Sequence, residues 1–135
     1  MNEIIIDGDN AVMGRLASFA AKKALEGNKI SIVNAEKVII LGTKEDILGG
    51  YLEKIARGGG NLNGPKISTS PERILKRTIR GMLSYKKGRG RDAFKRIRCY
   101  VSIPKEYSES KMIKSARGKK GVTLLELSGM LTGRN

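Results

Sequence analysis

Apolar residues fall in short blocks along this chain, and the spacing inside each block predicts an element. Residues 4–6 are three isoleucines in a row, the mark of a short buried strand. Asp7, Gly8, Asp9 and Asn10 follow as a turn. Over residues 14–26, Leu16, Ala17, Phe19, Ala20, Ala21, Ala24 and Leu25 recur at helical spacing, and Gly27 suits a C-terminal cap. Residues 29–33 predict a second strand and residues 38–41 a third. Strand, helix, strand is a βαβ unit, which points to an α/β sheet covered by helices. The link at residues 34–37 is too short for an ordinary parallel crossover. Pattern alone therefore favours a hairpin or a sharp bend there.

Thr43 followed by Asp46 resembles a capping box and opens a helix with Ile47, Leu48, Tyr51, Leu52 and Ile55 on one face. Residues 57–69 read as a loop of unusual length and glycine content. Ser70, Pro71 and Glu72 are the N-cap, first-turn proline and dipole-complementing acid of a further helix. At about 100° per residue, Arg73, Lys76, Arg77 and Arg80 share one sector of it about 100° wide. Ile74, Leu75, Thr78, Ile79, Met82 and Leu83 fill the rest, so this helix docks by its apolar side and offers cations outward. Gly88 and Gly90 punctuate it. A short helix is predicted at residues 92–97 with Ala93, Phe94 and Ile97 inward, then a strand at 99–103 stopped by Pro104. Residues 105–121, polar and basic, read as a tail or linker. Thr123 with Glu126 caps a last helix carrying Leu124, Leu125, Leu127, Met130 and Leu131, which docks back on the body or on a neighbouring protein.

Charge changes this picture by where it lies. The formal net charge of the 135 residues is +14. Residues 1–56 hold seven basic and eight acidic residues, while residues 57–120 hold nineteen basic and four acidic. A neutral N-terminal body therefore carries a strongly cationic middle and later part, the electrostatic footprint of a nucleic-acid binder. The densest stretch, residues 73–98, has eleven cations and one acid, Asp92. A membrane surface is the other common polyanion, but no basic amphipathic helix here presents exposed large aromatics. The first residues lack a basic region with a long apolar run, and no stretch approaches roughly 20 apolar residues. A cytoplasmic protein is expected.

The candidate chemistry is sparse. There is no histidine, which removes a His base, a Ser-His or Cys-His pair and any His-containing metal site. Cys99 is the only cysteine and reads as a small core residue. Asp7 and Asp9 at a strand end are the one enzymatic lure, since such a pair can share a hard cation in Mg²⁺-dependent phosphoesterases and nucleases. Such sites need carboxylates from other strand ends, and those ends offer Asn34, Gly42 and Pro104, so a turn is the first reading. Residues 59–66 put Pro65 where a phosphate-binding loop needs Lys directly after Gly. Glycine beside Arg57, Lys66 and Arg73 instead suits close approach of backbone to a phosphate. Six aromatics, not interleaved with the cations, make no single-strand platform and no RNP signature. A folded RNA read by shape and backbone fits better.

Two segments carry a family resemblance. Residues 4–42 (IIIDGDNAVMGRLASFAAKKALEGNKISIVNAEKVIILG) and residues 77–106 (RTIRGMLSYKKGRGRDAFKRIRCYVSIPKE) resemble the universal large-subunit ribosomal protein L-thirteen family in its archaeal and eukaryote-like form. The shared features are the strand, the Gly-Arg-Leu-Ala helix and the Asn-Ala-Glu-Lys turn, then Gly-Met-Leu, a Gly-Arg turn and an aromatic-plus-basic helix leading into Tyr-Val. Ser84 departs from the family, where proline usually follows Gly-Met-Leu. The resemblance implies a three-layer α/β/α domain with a small, mainly parallel four-stranded sheet, a tight crossover after the second strand, and a structural role without a catalytic site or cofactor. It implies binding to large-subunit ribosomal RNA and support of subunit assembly, with neighbouring ribosomal proteins as partners and no membrane or small-molecule substrate. The RNA-facing residues expected are Gly14, Arg15, Arg57, Lys66, Arg73, Lys76, Arg77, Arg80, Lys86, Lys87, Arg89, Arg91, Lys95, Arg96 and Arg98. The expected organisation is one domain over residues 1–104, with the basic loop 57–69, and a basic extension over 105–135. The alternatives are a Mg²⁺-dependent phosphoesterase using Asp7 and Asp9, and a regulatory messenger-RNA binder.

Overall fold

The computed structural model describes residues 2–59, 69–84, 88–107, 113–114 and 121–132, with 54–59, 113–114 and 132 described by backbone alone. The isoleucine triplet forms β1 (Glu3–Asp7), and α1 (Met13–Leu25) returns the chain to β2 (Lys29–Val33), which pairs parallel with β1 from Glu3↔Lys29 to Asp7↔Val33. β4 (Ile97–Cys99) adds to the far side of β2, and β5 (Ile113–Lys114) adds to β1, both parallel. The sheet order is β4-β2-β1-β5, so the small parallel four-stranded sheet is present as expected.

The connection after β2 is a sharp bend, one of the two forms the pattern allows, and it does not return the chain to the main sheet. Asn34 adopts a left-handed conformation (φ 55°), and a single 3-10 turn, Ala35–Lys37, leads to the two-residue β3 (Ile39–Ile40). β3 leaves the main sheet and pairs antiparallel with β6 (Val122–Thr123). A hairpin is closed off because β4 and β1 occupy the two edges of β2. The bend is held by side chains: Asn34 Nδ2 donates to Asp7 Oδ1 at 3.0 Å, and Glu36 Oε2 accepts the Ser102 amide at 2.7 Å.

α2 (Lys44–Gly59) starts as predicted, with the Asp46 amide donating to Thr43 Oγ1 at 3.3 Å. It runs past Arg57, so the first three residues of the expected loop are helical, and glycines close it as they often close helices. Residues 60–68 of that loop lie outside the described residues. Ile47, Leu48 and Tyr51 pack on the core, whereas Leu52 is exposed. α3 (Pro71–Gly81) has Ser70 at its N-cap and buries Ile74, Leu75 and Ile79, but leaves Met82 exposed.

α4 (Gly88–Lys95) begins one turn before the predicted start. Gly90 is not punctuation but a packing point: a Cβ there would lie 2.3 Å from the Ser84 carbonyl oxygen. β4 also begins and ends early, and Val101 and Ile103 are exposed. The Tyr100 amide still donates to Ile32, but at Ser102 (φ 60°) the chain turns to the Ala35–Lys37 region, because β2 has ended and offers nothing further to pair.

Of the segment read as a tail, residues 105–107, 113–114 and 121 are described, and they join the body; residues 108–112 and 115–120 lie outside the described residues. A 3-10 turn, Lys105–Tyr107, buries Tyr107, whose hydroxyl lies 3.2 Å from Ser31 Oγ. β5 then supplies the fourth strand, and α5 (Leu124–Thr132) places Leu124 and Leu127 fully in the core, capped by Thr123 Oγ1 on the Glu126 amide at 3.1 Å. One face of the sheet (Ile6, Ile30, Ile32, Ile97) packs on α1, α3, α4 and α5. On the other face, Ile5 and Val33 lie under Tyr107 and Tyr100. Among the described residues, no helix is long and apolar enough to cross a membrane.

Candidate nucleic-acid interface

The spacing of cations in α3 becomes one bank of a groove. With Ile74, Leu75 and Ile79 anchored in the core, Glu72, Arg73, Lys76, Arg77 and Arg80 line the other side of the helix. Phe94 of α4, Arg98 and Cys99 of β4, and Tyr100 form the opposite bank, enclosing about 460 Å³. Arg73, Arg77 and Arg98 are exposed and Arg80 is half-buried. Five cations and one acid thus converge on a space whose other lining is aromatic and thiol.

Not every cation in the row points outward. The Lys76 ammonium donates to the Ile97 carbonyl and sits 4.7 Å from the centre of the Phe94 ring. Burial lowers its pKa, and Arg98 nearby pushes the same way. Lys76 therefore ties α3 to β4 and fixes the separation of the two banks. Beside it, burial pushes the Cys99 thiol up to about 12, so it stays protonated and unreactive at neutral pH. This agrees with the small apolar role read from sequence.

Two arginines of the basic stretch likewise turn to the body. Arg89 Nη2 donates to the Leu25 carbonyl at 3.1 Å, and Arg96 Nη1 donates to the Ala24 carbonyl at 2.9 Å. Both donate to last-turn carbonyls of α1, that of Ala24 already accepting the Gly27 amide at 3.0 Å, and both complement the helix dipole. Arg91 and Lys95 are exposed on α4. Gly14 and Arg15 are exposed in the first turn of α1, whose Met13 sulfur meets Thr78 Oγ1 of α3 at 3.6 Å. The start of α1 therefore lies beside α3. Arg57 is on α2 with its side chain outside the described set, and Lys66, Lys86 and Lys87 lie outside the described residues.

The ion pairs sharpen the contrast. Lys23–Glu26, Lys29–Glu3 and Lys44–Glu126 join residues of the neutral body and α5 at 3.4, 3.2 and 3.8 Å. Among the described residues, the side chains of Arg15, Arg73, Arg77, Arg91, Lys95 and Arg98 enter no such pair. Among the described residues, that leaves a surface with an excess of unpaired positive charge.

Asp7 and Asp9 form a turn. Asp7 Oδ1 accepts the Asp9 amide at 3.0 Å as well as the Asn34 side chain. Among the described residues, no group of three or more His, Cys, Asp or Glu gathers to hold a metal.

Sequence reasoning missed the second bank of the groove. Phe94, Cys99 and Tyr100 are apolar or aromatic residues set among cations, and only the parallel pairing of β4 with β2 brings them opposite α3. It also missed the inward turn of Lys76. The one available signal is that Lys76 lies between Ile74, Leu75 and Ile79, at the margin of the apolar sector.

Comparison with known proteins places this geometry in context. The model of the family described as ribosomal protein L13 matches residues 1–106. The chain is 46% identical over 106 residues to the large ribosomal subunit protein uL13 of Methanopyrus kandleri, covering 78% of this chain and 66% of that protein. It is 44% identical over 128 residues to uL13 of Methanocaldococcus jannaschii, covering 92% and 93%. With uL13 of Archaeoglobus fulgidus it shares 41% identity over 135 residues, covering 94% and 86%.

Proposed function

The chain belongs to the ribosomal protein L13 family, and from that premise we infer that it is a structural constituent of the large ribosomal subunit. It binds large-subunit ribosomal RNA, supports assembly of the subunit and works in the cytoplasm as part of the ribosome. It is a structural component rather than an enzyme. The observation that carries the RNA-binding assignment is that Arg73, Arg77 and Arg98, on the two banks of the α3–β4 groove, enter no ion pair among the described residues.

The division of labour follows from placement. Arg73, Arg77 and Arg98 on the two banks, with Arg80 at the edge and Arg91 and Lys95 on α4, neutralise phosphates and release condensed counterions. Half-buried Lys76 and Arg96, with exposed Arg89, hold α3 to β4 and α4 to the end of α1 so that the outer cations keep their spacing. Gly14 and Arg15 extend the surface along α1, Arg57 adds to it from α2, and Lys66, Lys86 and Lys87, outside the described residues, contribute further cations. Neighbouring ribosomal proteins complete its surroundings.

The test is a double substitution across the groove. Arg73→Ala with Arg98→Ala should weaken binding to large-subunit ribosomal RNA. It should also flatten the slope of log affinity against log salt by about 0.7–0.9 for each phosphate that is no longer neutralised. A double variant with unaltered affinity and slope would remove the groove from the interface.

A further inference from the structure

The α3–β4 groove has features that phosphate neutralisation alone does not use. An arginine row on a flat or convex surface suffices to grip a duplex backbone. Here the row borders a recess of about 460 Å³ whose opposite lining includes Phe94, Cys99 and Tyr100. That volume falls in the range of roughly 300–1,000 Å³ typical of small-ligand sites, the size class of a single nucleotide. The Cys99 thiol is neutral, and the Lys76 charge is occupied by the Ile97 carbonyl and the Phe94 ring. The inner wall therefore presents Phe94, Cys99 and Tyr100 to a ligand, with the Lys76 ammonium turned onto the Ile97 carbonyl, while Glu72 and the arginines Arg73, Arg77, Arg80 and Arg98 complete the lining. An aromatic and thiol wall beside arginines suits the chemistry of a nucleotide: a base to shelter and phosphates to pair.

We propose that this groove is a subsite for one unpaired nucleotide of the RNA. Its base enters between α3 and β4 against Phe94, Cys99 and Tyr100, and its flanking phosphates are held by Arg73 and Arg77 on one bank and Arg98 on the other. Paired RNA does not satisfy this arrangement. In an A-form helix the bases stay stacked and the major groove is too deep and narrow for side chains, so a duplex offers only phosphates and 2′-hydroxyls to the rim. A bulged or looped nucleotide supplies the missing flat apolar group and can also stack against a guanidinium plane. The tie from Lys76 to β4 sets the width of the slot before RNA arrives, so the ordering cost of making it is met by the fold.

The proposal rests on the RNA-binding reading above, and the experiment separates the two. The full chain is titrated with an RNA hairpin carrying one bulged 4-thiouridine, and with the same hairpin in which that residue is paired. Both complexes are then irradiated and cross-linked peptides identified by mass spectrometry. The bulged hairpin should bind at least about fivefold more tightly, the lower end of what one stacked base contributes. Its cross-links should map to residues 94–100, and the paired probe should give none there. Equal affinities, or cross-links of the bulged base confined to other segments, would overturn the subsite while leaving the RNA-binding role intact. Failure of both hairpins to bind at low salt would overturn both readings.

Discussion

Lys76 and Arg77 are adjacent on α3, and the structure gives them opposite duties. Replacing Lys76 with Met keeps most of the aliphatic stem and removes the ammonium. A charge-assisted hydrogen bond contributes about 1.5–3 kcal/mol, and a cation over an aromatic ring adds about 0.5–1 kcal/mol. Against this stands the desolvation that lowers the Lys76 pKa, a cost the variant no longer bears. The net loss should be about 1–2 kcal/mol. With a urea slope of about 1–3 kcal/mol/M, the unfolding midpoint should fall by about 0.3–2 M. The salt slope of RNA binding should move little, because this ammonium is already bound to the Ile97 carbonyl. Arg77→Ala should do the reverse. Exposed and outside any ion pair among the described residues, it should leave stability within about 0.5 kcal/mol and reduce the salt slope by about 0.7–0.9. Urea titration by circular dichroism and filter binding across salt read the two effects separately. If Lys76→Met flattened the salt slope as Arg77→Ala does while leaving the urea midpoint in place, the inward assignment of Lys76 would be wrong.

Gly90→Ala should destabilise the fold by about 1–3 kcal/mol, because its Cβ meets the Ser84 carbonyl oxygen, a backbone atom that cannot swing away. Gly81→Ala, in the last turn of α3 with open space around it, should be neutral or stabilise by up to about 1 kcal/mol; equal thermal midpoints for the two would refute the packing role of Gly90. Cys99 has a folded pKa raised from 9.0 to about 12, so the folded state holds its proton where the unfolded state loses it. The stability from this group is full below pH 9 and is lost as pH rises from 9 towards 12. At pH 9 iodoacetamide should label the native thiol roughly a hundredfold or more slowly than the thiol of the urea-unfolded chain, and comparable rates would contradict its burial.

Local signals were legible in the sequence because their physics is local. Thr43 with Asp46, Thr123 with Glu126, and Ser70 before Pro71 each begin a helix where a cap can be read from three or four residues. The basic sector of α3 was equally visible, since helical spacing alone puts Arg73, Arg77 and Arg80 together. What failed depends on partners distant in the chain. β5 is two residues long in a polar, basic segment, and only the open edge of β1 makes Ile113 and Lys114 a strand. The early end of β4 is set by where β2 stops and by the Glu36 carboxylate that receives the Ser102 amide. The resemblance expects Arg89 and Arg96 to face RNA, and the sequence gives no sign that their guanidinium groups also donate to carbonyls at the end of α1, more than sixty residues away. A charge count points to a polyanion, and the fold adds which described cations enter no ion pair among the described residues.

The most direct test is the affinity of the full chain for large-subunit ribosomal RNA beside a generic RNA duplex of equal length, titrated across salt. A surface built on a fixed spacing of arginines around a groove should prefer the ribosomal RNA at every salt concentration, with the preference persisting as both affinities fall. Equal affinities that collapse together as salt rises would mean that residues 57–120 act only as a non-specific cationic grip, and the shaped interface described here would have no functional support.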